Sequence, residues 1–171
     1  MEQLYNTFDK ENHLLPLFDK KIFTDLHDWE FGWALLQPIN IAKNAEDDKT
    51  LTQRFSPGQK ALYFIWYLDG QVTNGGFIQF YNNNYRKYLP PIIEGLKLIG
   101  DSEMLVLIEK VDKEYISHKD IFIEKKDAET LYEILPQFDE YDAVYFSIHD
   151  NTMKLIEKYA RDNYKEFVRF Q

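Results

Sequence analysis

Nucleophilic and metal chemistry need residue types that this 171-residue sequence does not space for the purpose. Its four histidines, His13, His27, His118 and His149, fall at unrelated intervals, with no His-Glu-x-x-His pair or repeated ligand spacing that would bring imidazoles to one ion. Cysteine is absent, so no thiolate is on offer as nucleophile or ligand. The serines, Ser56, Ser102, Ser117 and Ser147, lie outside any Gly-x-Ser-x-Gly elbow. Asp25, His27, Asp28 and Glu30 are neighbours in sequence, yet on one helix they spread around the barrel instead of converging. Acid–base catalysis could draw on any two of 29 carboxylates that meet in space. An enzyme of that kind would also need a deep pocket with several buried polar groups. No cofactor or metal is expected.

Acid is the residue type whose distribution is uneven. The formal net charge is −9, and residues 1–56, 57–100 and 101–171 carry −4, +2 and −7. Residues 127–153 hold Asp127, Glu129, Glu133, Asp139, Glu140, Asp142 and Asp150 without a single Lys or Arg. Glu129 and Glu133 stand four apart, a like-charge spacing that weakens a helix unless bases relieve it. Two readings follow. Glu129, Glu133, Asp139, Glu140 and Asp142 project from one face and stand in for phosphates, or the stretch is an ordinary solvated face. As one helix, these residues would span about 40 Å, along which duplex DNA carries on the order of 24 charges. Seven carboxylates can match only a few phosphate positions.

The elements that must position these residues are helical. Apolar residues recur at helical spacing and sustained alternation is absent, so the pattern predicts an all-α domain of about seven helices over residues 19–171, preceded by a partly ordered arm at 1–18. A first helix is expected at 20–36 and a loop at 43–55. Ser56, Pro57 and Gln59 form a capping-box start. The helix they open is expected to close on a left-handed Gly70, and the chain to re-enter helix from Val72 to Tyr81. Pro90-Pro91 opens a helix that ends on Gly100, and Ser102 can cap the next. Ile121-Phe122-Ile123 reads as an extended connector. Asp127–Leu135 reads as a short helix, a further one carries Phe138, Tyr141, Tyr145 and Ile148, and Asp150 or Asn151 caps the last. Thirteen Phe, twelve Tyr and three Trp predict an aromatic core.

One string is more specific than helix patterning requires: Leu68-Asp69-Gly70-Gln71-Val72-Thr73-Asn74-Gly75-Gly76-Phe77-Ile78-Gln79-Phe80. Two adjacent glycines inside a helix cost about 1 kcal/mol each relative to alanine. The structural reading is that a neighbouring side chain or backbone packs directly on Gly75 and Gly76 while Asn74 and Gln79 satisfy nearby backbone groups. An anion held on exposed amides at a helix start is the functional alternative, and no Lys or Arg within the string supports it. We favour the structural reading, which makes Asp69, Gly70, Asn74, Gly75, Gly76, Phe77 and Gln79 a structural motif.

This string resembles the Leu-Asp-Gly-x-Val-x-Asn-Gly-Gly-Phe-x-Gln-Phe core of a bacterial domain family associated with DNA-mimic proteins. The similarity extends over about residues 20–168, through the proline-opened helix ending Ile99-Gly100, through Phe138-Asp139-Glu140-Tyr141, and through a final helix closing on Asn163 and Phe167. The resemblance implies an α-helical fold and, for members characterised as mimics, an acidic surface that occupies the DNA-binding face of a transcription factor.

On this basis Asp127, Glu129, Glu133, Asp139, Glu140, Asp142 and Asp150 are the candidate partner-binding residues, and the expected partner is a basic protein such as a DNA-binding transcription factor. Direct nucleic acid binding is not expected of a −9 chain with dispersed bases. An immunity or antitoxin-like inhibitor of a basic nuclease is the second reading and an enzyme of unknown reaction the third. The longest apolar run, Ala61–Leu68, is too short to cross a bilayer, and the sequence has no signal-peptide pattern, so a cytoplasmic protein without membrane association is expected.

Overall fold

A computed structural model describes residues 7–124 and 126–171. Among them lie nine α-helices: α1 (Lys20–Asp25), α2 (Asp28–Leu36), α3 (Ala45–Leu51), α4 (Pro57–Asn82), α5 (Leu89–Ile99), α6 (Ser102–Ser117), α7 (Lys119–Ile123), α8 (Ala128–Ile134) and α9 (Gln137–Asp162). Short 3-10 turns follow α3, α4 and α9. Two two-residue strands, β1 (Leu17–Phe18) and β2 (Arg169–Phe170), pair in parallel with Leu17 opposite Arg169. The fold is all-α, and the nine helices exceed the expected seven for reasons visible residue by residue.

The 20–36 segment divides because Leu26 and His27 are extended. The second piece, α2, starts on a carboxylate from elsewhere: Glu157 of α9 accepts the Asp28 N–H at 2.5 Å and lies 2.9 Å from His27 Nδ1. Residues 43–55 are not a loop, because Asn44 accepts the N–H groups of Glu46 and Asp47 and so starts α3. Ile121–Ile123 is helical rather than extended, and Phe122 is buried from α7. Asp101, not Ser102, caps α6, accepting the Met104 N–H; its other oxygen accepts from the buried Thr152 hydroxyl at 2.5 Å.

The capping box that starts α4 is present, with Ser56 Oγ accepting the Gln59 N–H and Gln59 Oε1 accepting the Ser56 N–H. Pro90 and Pro91 lie in the first turn of α5, and Gly100 closes it at φ 78°. Gly70 does not close a helix. It stays helical, and the break in α4 falls instead at Gly75 (φ −163°, ψ 29°) and Gly76 (φ 70°, ψ −177°). Asp150 and Asn151 cap nothing: they are exposed mid-helix positions of α9, where modest helix propensity is inexpensive and no proline interrupts the chain.

The core is aromatic, as the composition predicts, with Phe31, Phe55, Phe64, Phe77, Phe80, Phe138, Tyr63 and Tyr145 almost wholly buried. α4 runs through its centre and packs against α2, α5, α8 and α9. Residues 7–18 lie along the start of α4, where Gln59 Nε2 donates to the Leu14 carbonyl and the buried Lys60 Nζ donates to the Thr7 carbonyl. The part of the expected arm at residues 1–6 lies outside the described residues.

Candidate protein-binding surface

The glycine motif is where α4 bends to admit its neighbours. With the helix broken at Gly75 and Gly76, the Phe77 N–H has lost its helical acceptor, and Asp142 Oδ1 from α9 accepts it at 2.8 Å. The other oxygen of Asp142 accepts a short hydrogen bond from the Tyr132 hydroxyl of α8. A Cβ on Gly76 would overlap both that hydroxyl and the Asp142 carboxylate. Asn74 donates to Gln79 Oε1 at 2.9 Å, and Gln79 Nε2 reaches back to the Gln71 carbonyl, so the two amides bridge the bend. The anion at this helix start is therefore part of the chain itself; Tyr132 and Asp142 pack where a Cβ on Gly76 would go, and at Gly75 a Cβ would meet the Gln79 side chain.

Nearly two turns earlier, Asp69 ties the same helix to two others. It is 3% exposed. Its Oδ1 accepts from Tyr145 Oη at 3.0 Å and from His149 Nε2 at 2.7 Å, both on α9, and its Oδ2 accepts from Trp29 Nε1 of α2 at 3.3 Å. Hydrogen bonding to Asp69 raises the pKa of His149, and burial raises that of Tyr145 well above the ordinary phenol value. Desolvation likewise raises the pKa of Asp142, against the two hydrogen bonds that favour its charged form. Among the described residues no buried side-chain nitrogen or oxygen lacks a partner, so these clusters act as fasteners between helices. Asp48 forms another, accepting from the hydroxyls of Tyr63, Tyr67 and Tyr88.

The seven candidate acids separate by location. Asp142 is turned inward onto Phe77 and Tyr132, so it does not project with the others; the bend in α4 demands an acceptor and Asp142 supplies it. Asp127, Glu129, Glu133, Asp139, Glu140 and Asp150 are exposed. Asp127 caps α8 through the Thr130 N–H and hydroxyl, and these bonds lower its pKa. Glu129 stands in the first turn of α8, and Asp139 and Glu140 in the first turn of α9, where a carboxylate meets the positive end of the helix dipole. Helix chemistry alone explains those four. Glu133 stands near the C-terminal end of α8 and Asp150 in mid-helix, places that give an acid no such reward. The exposed face of α9 changes sign along its length, since Lys154 and Lys158 follow Asp150 on it.

A family model described as DMP19-like protein matches residues 53–163. The chain belongs to the DMP19-like protein family. The matched span runs from just before α4 through the last turn of α9 and so contains the bend, its Asp142 and Tyr132 fasteners, and the whole acidic stretch. The chain is also similar to a curated relative, "DNA mimic protein DMP19" of Neisseria meningitidis serogroup B (strain ATCC BAA-335 / MC58), with 25% identity over 119 residues that cover 66% of this chain and 72% of the relative. That relative's name describes it as a mimic of DNA.

Sequence reasoning assigned no site role to Trp29, Tyr132, Tyr145 or His149, of which Tyr132 meets the bend through Asp142 and the other three meet at Asp69. The available signal was helical phase: Asp142, Tyr145 and His149 fall at i, i+3 and i+7 on one side of α9, the side that meets α4. Two clefts of about 490 and 450 Å³ open elsewhere, one lined by Arg86, Asp112 and Tyr115 and the other by His27, Lys154 and Arg161. Neither is lined by the motif residues. Among the described residues no helix is long and apolar enough to cross a membrane.

Proposed function

We propose that the protein is an acidic binding module that takes the place of DNA on a basic DNA-binding protein in the cytoplasm. The observation that carries this reading is the set of six exposed carboxylates from the N-cap of α8 to the middle of α9, Asp127, Glu129, Glu133, Asp139, Glu140 and Asp150, in a stretch without one Lys or Arg. Membership of the DMP19-like family supports it. So does rigidity: the bend in α4 holds α8 and α9 together through Tyr132 and Asp142, which fixes the spacing between the acids of the two helices.

Six charges are few beside a duplex, so the mimic works by matching a limited number of phosphate positions and by steering a basic surface toward it. Exposed pairs contribute little singly, and their joint effect weakens as salt rises.

The test is competition. A basic DNA-binding protein captured on this protein from its native extract is titrated with its own DNA site in the presence and absence of this chain. Displacement of the DNA, lost when Glu133→Lys, Asp139→Lys and Asp150→Lys are combined in a variant that remains folded by circular dichroism, is the expected result. A captured protein that binds its DNA equally well with and without this chain overturns the reading.

A further inference from the structure

We propose that the cleft between the end of α4, the start of α5 and α6 binds a small organic anion, a carboxylate or phosphate ester with an apolar body, on the free edge of Arg86. The cleft measures about 490 Å³, within the usual range for small-molecule sites and larger than a bare ion needs. None of the six exposed acids named above lines it, so the site is separate from the proposed DNA-mimicking face.

Arg86 is oriented before any ligand arrives. Its Nε and Nη2 donate to the two oxygens of Asp112 on α6 at 2.8 and 3.0 Å. Its guanidinium carbon lies 5.5 Å from the centre of the Tyr115 ring, which in turn stacks on Tyr81 with centroids 4.2 Å apart at 8°. Tyr81 Oη donates at 3.3 Å to the Asp112 oxygen that also accepts from Arg86 Nε. Asp112 thus uses two of the five guanidinium N–H groups. The other three include both on Nη1, which donates to none of the described residues. Nη1 and Nη2 therefore present a second fork, of the geometry that matches a carboxylate or phosphate. The side chain is 44% exposed and lines the cleft, so this fork is within a ligand's reach.

The surroundings select the occupant by charge. Lys87 lines the cleft too, and Asp112, the one acid among its described lining residues, already accepts from Arg86 and Tyr81. A cationic ligand would meet Arg86 and Lys87. An uncharged apolar one would strip water from the guanidinium without replacing its hydrogen bonds. An anion avoids both costs. Pro90 and Ile93 of α5 supply an apolar wall, which favours an organic body over an inorganic ion. Acids of the −9 chain more than about 8 Å away are largely screened at physiological ionic strength. Duplex DNA is not such a ligand, because one arginine and one lysine in a concavity cannot follow a phosphate backbone.

The full chain is titrated with 3-phenylpropionate, phenyl phosphate, inorganic phosphate and 3-phenylpropylamine, followed by NMR of the isoleucine methyl and arginine side-chain N–H signals. Both organic anions should shift the Ile93 and Arg86 signals saturably, leave the exposed Ile134 on α8 unmoved, and bind about tenfold or more tightly than the amine. Inorganic phosphate should bind more weakly than phenyl phosphate. Arg86→Lys keeps a cation beside Asp112 but removes the fork, and should weaken both organic anions about tenfold. Lys87→Gln, at an exposed position, should weaken them about threefold. The tighter of the two organic anions identifies the headgroup, carboxylate or phosphate. Equal affinity for anions and amine makes the cleft an unselective groove and overturns the inference. So do shifts centred elsewhere, no saturable binding, or a folded Arg86→Lys that binds the anions as the wild type does. Inorganic phosphate binding as tightly as phenyl phosphate overturns the organic class. The wild-type titrations decide the matter by themselves where a variant does not fold.

Discussion

The carboxylate of Asp142 on α9 accepts the backbone N–H of Phe77 on α4 at 2.8 Å, across 65 residues of sequence. One acid of the acidic stretch is thus part of the framework, while its neighbours face solvent. Replacing it should therefore cost stability before it costs binding. Asp142→Ala leaves the Phe77 N–H and the Tyr132 hydroxyl without their acceptor and should destabilise the fold by about 2 kcal/mol. Asp142→Asn retains an oxygen acceptor and should lose less. Thermal unfolding of the two variants checks the order; equal and negligible losses would show that the bend does not depend on this bond.

Two glycines of the same motif should respond in opposite directions. Gly76 sits at φ 70° with Tyr132 and Asp142 where a Cβ would go, so Gly76→Val combines left-handed strain with overlap and should cost about 2–4 kcal/mol. Gly70 is helical, and a Cβ there meets nothing within 4 Å. Gly70→Ala should stabilise by about 0.5–1 kcal/mol. Melting temperatures that move the same way for both variants would contradict the assignment of the bend.

His149 makes stability depend on pH. Its hydrogen bond to Asp69 raises its pKa above the ordinary 6.5, so the protonated imidazole stabilises the fold fully below about pH 6.5 and that contribution is lost as pH rises through the raised value. Lys60 has the opposite sign. Burial lowers its pKa to about 8, so the unfolded chain holds the proton more tightly and stability gains as pH climbs from there toward 10.5. The measurement is the difference between wild type and His149→Gln, which keeps a donor near Asp69 but does not titrate. Between about pH 6 and pH 8 the wild type should lose more melting temperature than the variant; parallel curves would remove His149 from the account.

Direct DNA binding should be absent. The bases of the one net-positive segment are engaged or dispersed: Lys60 is buried, Arg86 pairs with Asp112, Lys97 pairs with Glu94, and Lys87 lies over the Tyr88 ring. A mobility-shift titration with duplex DNA should show no salt-sensitive complex. A complex that weakens steeply with salt would contradict the acidic-module reading.

Features legible in the sequence are those settled within a few residues. The Ser56–Gln59 capping box, the proline start of α5 and the Gly100 stop depend on contacts one helical turn away or less, so the local string specifies them. The same holds for the all-α class and the aromatic core, which follow from apolar periodicity and composition. The position of the bend in α4 was not local. Gly70 and the Gly75-Gly76 pair are all candidates on propensity, and what selects the pair is the arrival of Asp142 and Tyr132 from α9 and α8. Likewise, seven acids in one stretch look alike in sequence, yet Asp142 is drawn inside because a freed N–H in a low-dielectric interior needs an acceptor, whereas Asp150 finds only solvent and a neighbouring imidazole at 3.5 Å. Asp69 gathers Trp29, Tyr145 and His149 from 40, 76 and 80 residues away. Which acids are drawn inside and which face solvent is decided by those long-range fasteners.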